Sequence, residues 1–304
     1  MKKDRFGDRK ELKVIKKNRR LQVSEPVELM IFLIEKMPDK SRNNIKSILA
    51  RGQVLVNGKV VKQYNHPLLV GQEVIIDLSP PSEKEEDDIP NIIYEDNDLI
   101  VIDKPAGLLT ISTDSEKEHT AYHQLMNYVR KKNIENRIFI VHRLDRDTSG
   151  VLVFAKNEEL KNLFQNGWKE IMVERTYVAV VEGQVRKKED TIKSWLLETK
   201  TKLIYSSNKP GDGLEAITHY KVLQDTANYS LLEIHLETGR KNQIRVQLQD
   251  IGHSIIGDKK YSSKVNPIGR LALHARVLSF HHPVTQKLMR FETEIPPNFS
   301  MLFK

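Results

Sequence analysis

The chain has 304 residues, 39% of them hydrophobic and 30% charged, a size and balance that allow two or three folded domains around full cores. It contains no cysteine, which excludes disulfides, thiolate zinc sites and cysteine nucleophiles, and its net charge of +8 points to a polyanionic partner such as nucleic acid. The longest early apolar run, Leu29-Met30-Ile31-Phe32-Leu33-Ile34, is too short to span a bilayer and no signal peptide is visible, so a cytoplasmic protein with no membrane partner is expected.

Residues 1–22 form a basic arm in which ten lysines and arginines face three acids before Leu21, so nearly all of the net charge lies there. Its expected behaviour is that of a solvated tail or of an arm that orders on RNA phosphates. Residues 23–78 read as a small unit. Leu29, Phe32 and Leu33 recur at helical spacing and Pro38 ends that segment. Ser41 suits the N-cap of a second helix through Ala50, with Ile45, Ile48 and Leu49 on its apolar side, Arg42, Lys46 and Arg51 on other faces, and Gly52 as its stop. Val54 to Val61 reads as a hairpin around Asn57-Gly58. The string Ser-Arg-x-x-Ile-Lys, then Gly-x-Val-x-Val-Asn-Gly, closed by Gly71-Gln72-Glu73-Val74, resembles the S-four-type RNA-binding domain of ribosomal proteins. That resemblance makes Arg42, Lys46 and Arg51 its expected RNA contacts.

Residues 79–90 form an acidic, proline-containing linker, extended and self-repelling. From Asn91, a hairpin of Ile92-Ile93-Tyr94 and Leu99-Ile100-Val101-Ile102 leads into Lys104-Pro105-Ala106-Gly107, and a helix spans Ala121 to Lys132. His119 and His123 stand four apart, but with no third ligand indicated, no metal site is expected. The densest stretch is Val141-His142-Arg143-Leu144-Asp145-Arg146-Asp147-Thr148-Ser149-Gly150, a charged connection between the strand-like runs Ile138-Phe139-Ile140 and Val151-Leu152-Val153-Phe154. By itself it fits a structural Arg–Asp network. Asp147-Thr148-Ser149-Gly150 also looks like an aspartic-protease loop, but that chemistry needs a second such carboxylate and the chain has no second copy.

Beyond it, Glu159 to Trp168 reads as a helix, Arg175 to Gly183 as a strand ending in a turn, and Tyr220 to Leu223 and Tyr229 to Leu236 as further strands, the last with one wet face. Thr238-Gly239-Arg240-Lys241-Asn242-Gln243-Ile244-Arg245 opens a helix that Gly252 stops, with Arg245 at the edge of its apolar stripe. Leu273-His274-Ala275 and Phe280-His281-His282-Pro283 follow, with His281 and His282 as loop histidines outside any metal site.

His-Arg-Leu-Asp-x-x-Thr-Ser-Gly, Lys-Pro-x-Gly, Tyr-x-Ala-x-Val-x-Gly and Thr-Gly-Arg-x-x-Gln-Ile-Arg, in these places, resemble the RluA-type family of RNA pseudouridine synthases from Asn91 nearly to Lys304. The resemblance implies an α+β fold: a catalytic domain over residues 91–304 with a bent, mostly antiparallel mixed sheet flanked by helices and loops, behind a small N-terminal α/β RNA-binding domain. It also implies an isomerase that turns uridine in RNA into pseudouridine without a cofactor, after flipping the base out of its stack. Asp145 maps to the catalytic carboxylate, acting as nucleophile or as base. Tyr177 maps to the aromatic that stacks on the base and can help remove the carbon-bound proton, and Arg245 to the arginine paired with the carboxylate.

Arg143 maps to the residue that fills the vacated stack, and Leu273 to the apolar residue that packs on the base. His142 and Arg240 are further expected substrate contacts, while Lys104 fits either a phosphate contact or a strand-end charge. Two positions depart from the family pattern, Asn242 and Gln247, each often His; they are expected to tune RNA contacts. With the RNA-binding module, ribosomal RNA of the large subunit is the expected partner, ahead of transfer RNA, and a monomer is the default state. Two other classes stay open: a non-catalytic ribosome-assembly factor, which would predict damage at the catalytic positions, and a glycosidase, which needs a second, facing carboxylate.

Overall fold

The computed structural model describes residues 18–50, 52–77, 91–114, 116–261 and 263–304. The arm up to residue 17, Arg51 and the 79–90 linker lie outside the described residues. The chain divides into two compact units, Met1–Glu86 and Asp87–Lys304. No helix among the described residues is long and apolar enough to cross a membrane.

The first unit runs β1 (Asn18–Gln22), β2 (Val27–Glu28), α1 (Leu29–Lys36), α2 (Arg42–Ala50), β3 (Val54–Val56), β4 (Lys59–Val60), β5 (Pro67–Leu68) and β6 (Glu73–Asp77). Helix α1 buries Leu29, Met30, Phe32 and Leu33, and α2 adds Ile45, Ile48 and Leu49 to the same core as Val54, Val74 and Ile76 of the β1-β6-β3-β4 sheet. Ser41 Oγ accepts from the Asn44 N–H at 3.3 Å at the start of α2, and Gly52 closes the helix with its N–H on Leu49 O. Asn57 and Gly58 both take positive φ, 48° and 77°, which makes the two-residue turn that folds β3 back on β4. Arg42 and Lys46 are exposed one turn apart on α2.

The second unit holds β7 (Asn91–Glu95), β8 (Leu99–Lys104), α3 (Ala121–Lys132), β9 (Phe139–Ile140), β10 (Ser149–Ala155), α4 (Glu158–Asn166), α5 (Trp168–Ile171) and β11 (Met172–Glu182). It continues with β12 (Glu189–Glu198), β13 (Ile204–Ser207), β14 (Leu214–Asp225), β15 (Tyr229–Leu236), α6 (Gln243–Asp250), β16 (Leu273–His281), β17 (Leu288–Glu292) and α7 (Pro297–Ser300). Eleven strands make one sheet in the order β13-β12-β14-β15-β11-β16-β10-β8-β7, with β17 on β16 and β9 on β10. Among the described residues its pairs are antiparallel except β10 with β16. The fold is α+β. Every residue of β10 is buried, as expected of a central strand covered on both faces.

Three local readings change. The helix expected over Glu159–Trp168 ends at Asn166, because Gly167 breaks it before the separate short helix α5. Leu273 to His281 is one nine-residue strand rather than two fragments, and all but Arg276 and His281 in it are buried, so no alternation marks it. His281 pairs with Leu288 inside the sheet, and His282 is buried with its Nδ1 accepting the N–H groups of Val284 and Thr285. His281 thus belongs to the strand, while His282 lies in the loop as expected but is buried there.

Candidate active site

The connection from β9 to β10 carries the charged stretch, and its backbone is held on both sides of Asp145. Thr110 Oγ1 accepts from the Leu144 N–H at 3.2 Å and donates to Leu144 O at 2.8 Å. Arg146 O accepts from the Gly107 N–H at 2.9 Å and from Lys104 Nζ at 3.0 Å. Val141 and Leu144 anchor the loop in apolar cores, and the Asp145 side chain, 32% exposed, opens onto a cavity of about 510 Å³. That volume falls in the range of ligand-sized sites.

Lys104 is not a phosphate contact. It is fully buried, and its ammonium donates to three backbone carbonyls: Leu108 at 2.7 Å, Pro105 at 2.9 Å and Arg146 at 3.0 Å. Burial pulls its pKa down to about 8, with Asp147 and Asp145 pulling it back, and three carbonyl acceptors call for the charged form. Lys-Pro-x-Gly therefore acts as a clamp on the Asp145 loop. Lys104→Met takes the ammonium from the Pro105 and Leu108 carbonyls and leaves Arg146 O with the Gly107 N–H alone, and it is expected to destabilise the second unit by roughly 3 kcal/mol, read as a lower urea midpoint.

Arg245 lies on the first turns of α6, 12% exposed, and its Nη1 donates to Asp145 Oδ2 at 3.3 Å. Its tighter partner is Asp258, which takes Nε at 2.7 Å and Nη2 at 2.8 Å. Burial works against the Arg245 charge, but Asp258 and then Asp145 outweigh it and hold the guanidinium above its ordinary range. Tyr177 faces the same cavity from β11, beside a register shift between β11 and β16 at Thr176 and Tyr177, a common device for aiming a side chain at a site. Burial pushes its phenol up, Arg175 pulls it down and Asp145 adds to the rise. The phenol is thus neutral at ordinary pH and offers a ring face and a hydroxyl. Leu273 opens β16 on the same sheet face, opposite Ala179 where Tyr177 is opposite Ala275.

His142 lines the cavity, but its Nε2 accepts from the Val153 N–H at 3.2 Å and its ring packs on Trp168 with centroids 5.2 Å apart. Burial, and then Arg175, pull its pKa to about 3, so it is neutral and bears its proton on Nδ1. Arg143 is exposed at the cavity, with no ion-pair partner among the described residues; Arg240 is exposed there too, donating through Nε to Glu215 O at 3.1 Å. With Arg175, Lys241 and Arg245 also on the lining and Asp145 as its one acid among the described residues, the cleft is cationic.

Gln247 is sealed inside the domain, whereas Asn242 lies half-buried on the cleft wall. Gln247 is fully buried and ties α6 to the sheet, accepting from Thr218 Oγ1 at 2.6 Å and donating to Ser194 Oγ at 2.9 Å and Ala216 O at 3.0 Å. Asn242 accepts from Arg245 Nη1 at 3.1 Å and donates to the Tyr261 hydroxyl at 3.1 Å. The structure brings Asp145, Tyr177, Arg245, Arg143, Arg240, His142 and Leu273 to one cleft. Asp258, Arg175 and Trp168 also belong to its build and were not assigned site roles from sequence; an acid thirteen residues from Arg245 carries no periodic signal.

Residues 98–250 match the family model described as RNA pseudouridylate synthase, and residues 29–74 match the S4 domain. An RNA pseudouridine synthase of Chlorobaculum parvum is 33% identical, covering 93% of this chain and 95% of its own. The ribosomal large subunit pseudouridine synthase D of Haemophilus influenzae is 31% identical, covering 88% of this chain and 87% of its own. The solved structure of human RNA pseudouridylate synthase domain containing 4 superposes with a TM-score of 0.57 at 22% identity, over 69% of this chain and 90% of that one, which shows a shared fold.

Proposed function

This chain belongs to the RluA-type family of RNA pseudouridine synthases, isomerases that convert uridine in RNA to pseudouridine, and from that premise we propose that its substrate is large-subunit ribosomal RNA and that Asp145 is its reacting group. The carrying observation is that, among the described residues, Asp145 is the one carboxylate on a cationic cleft, clamped through its backbone and met by Arg245 at 3.3 Å. In the reaction the bond from ribose to a ring nitrogen breaks, the base turns, and a bond from ribose to a ring carbon forms. The proton lost from that carbon balances the one gained by the nitrogen, so no redox partner is required.

Asp145 serves as the carboxylate that attacks the nucleotide or takes the ribose 2′ proton, and the Arg245 N–H aims it. Tyr177 offers its ring to the extruded uracil with Leu273 beside it. Arg143, exposed and unpaired among the described residues, suits the stack that the base vacates, since a planar cation fits both bases and phosphates. Arg240 contributes to the cationic rim that meets the RNA backbone. The basic surface of α2, with Arg42 and Lys46, supports a structured ribosomal target, as does the name borne by the Haemophilus relative.

The test is carbodiimide mapping of pseudouridine in total RNA from cells carrying the wild-type protein, Asp145→Asn, or none. A small set of large-subunit sites is expected to vanish in both mutant strains. Loss of transfer-RNA sites instead would move the substrate, and three identical maps would overturn the assignment.

A further inference from the structure

Arg245 meets Asp145 through one nitrogen only, and that bond, at 3.3 Å, is the longest of its four side-chain hydrogen bonds. Nε and Nη2 grip the two Asp258 oxygens side-on, which fixes both the plane and the rotation of a guanidinium. Asp258 is held in turn: its side chain is fully buried and Oδ1 accepts the N–H groups of Lys260 at 2.9 Å and Tyr261 at 3.0 Å. It does not line the cavity.

Asn242 stands just ahead of α6 with φ 55°, and its amide bridges Arg245 Nη1 to the Tyr261 hydroxyl. The Tyr261 ring lies 5.1 Å from the guanidinium carbon. Without such a frame, a long flexible arginine facing a solvent-open carboxylate would hold it weakly and in many poses.

We propose that Asp258 and Asn242 are positioning residues for the isomerisation: they lock Arg245 so that a single Nη1 N–H fixes the direction of the Asp145 carboxylate. Neither supplies an atom to the reaction. The inference rests on the reading of Asp145 as the reacting group. It also gives Asn242, where the family often has His, a role in framing Arg245.

Single-turnover isomerisation of a transcript that the wild-type enzyme modifies tests it, using the full chain with Asp145→Asn, Asp258→Asn and Asn242→Gly. Asp258→Asn keeps the shape but turns a donor toward the arginine fork; kcat is expected to fall about 100-fold, since a misplacement near 1 Å costs about that much. Asn242→Gly keeps the left-handed backbone and removes the amide bridge, both the acceptor for Arg245 and the donor to the Tyr261 hydroxyl, and a fall of about 10-fold is expected. KM for RNA should stay within about threefold in both, a split that a loosened fold or a lost RNA contact would not give.

Wild-type kcat in the two variants, or a loss confined to KM, overturns the proposal. If Asp258→Asn does not fold, Asn242→Gly decides it alone. Wild-type turnover by Asp145→Asn would instead bring down the reading of Asp145 and this inference with it.

Discussion

Asp145→Asn is expected to abolish isomerisation, by on the order of 10⁴-fold or more, while leaving the fold intact. Asparagine has nearly the same volume, and the side chain is 32% exposed, so no core is disturbed. Its carbonyl oxygen can still accept the Arg245 Nη1 N–H, whose present distance of 3.3 Å marks a modest contact. What disappears is the negative charge, and with it the nucleophilicity and basicity that the reaction needs. Asp147 cannot stand in, because it is exposed and does not line the cavity. Tritium release from RNA labelled at the exchanging carbon of uridine, under single-turnover conditions, measures the effect. A residual rate above about one percent of wild type would mean that another group does the chemistry.

Gly150→Ala is expected to place one of the most destructive single methyl groups in the second unit. Gly150 has φ +115°, and a Cβ there would sit 2.1 Å from Ala275 O and 2.7 Å from the carbonyl carbon and nitrogen of the same residue. The clash is with backbone, inside the parallel pairing of β10 with β16, so no side chain can rotate away. We expect a loss of about 4 kcal/mol or more, seen as insoluble protein or a collapsed urea midpoint. Gly269→Ala is the control: φ is +75° but nothing lies within 4 Å of its Cβ. It should cost only about 1–2 kcal/mol, the left-handed penalty alone.

The residues read as catalytic from sequence are those whose neighbours in the chain form a compact local pattern. Asp145, Tyr177 and Arg245 each sit in a run of fixed composition, and the structure gathers them although Asp145 and Arg245 are 100 residues apart. Lys104 was legible as a position but not as an environment. Whether a strand-end lysine faces solvent or three carbonyls depends on a loop 42 residues away, and no local rule carries that.

The hairpin β12–β13 and strand β17 were not foreseen, since their pairing is set by register with distant strands rather than by a clean alternation. Asp258 escaped for a related reason. It lies in an irregular segment, and only the folded chain turns it beneath Arg245. Asn242 and Gln247 were noticed as departures and given an outward role. Gln247 serves the interior and Asn242 the cleft wall, each amide matched to specific donors and acceptors.

The place of β16 in the sheet governs when the enzyme can first exist. Strands β7 to β10 form one block and β11 to β15 another, and β16, almost the last strand to be made, is the piece that lies between them. A nascent chain can settle each block on its own as it leaves the ribosome. Until residues 273–281 emerge, however, the block with Asp145 has no seam to the block with Tyr177. The cleft is therefore a late product of synthesis, and a chain cut short before β16 would hold both halves of the machinery without ever bringing them to one substrate.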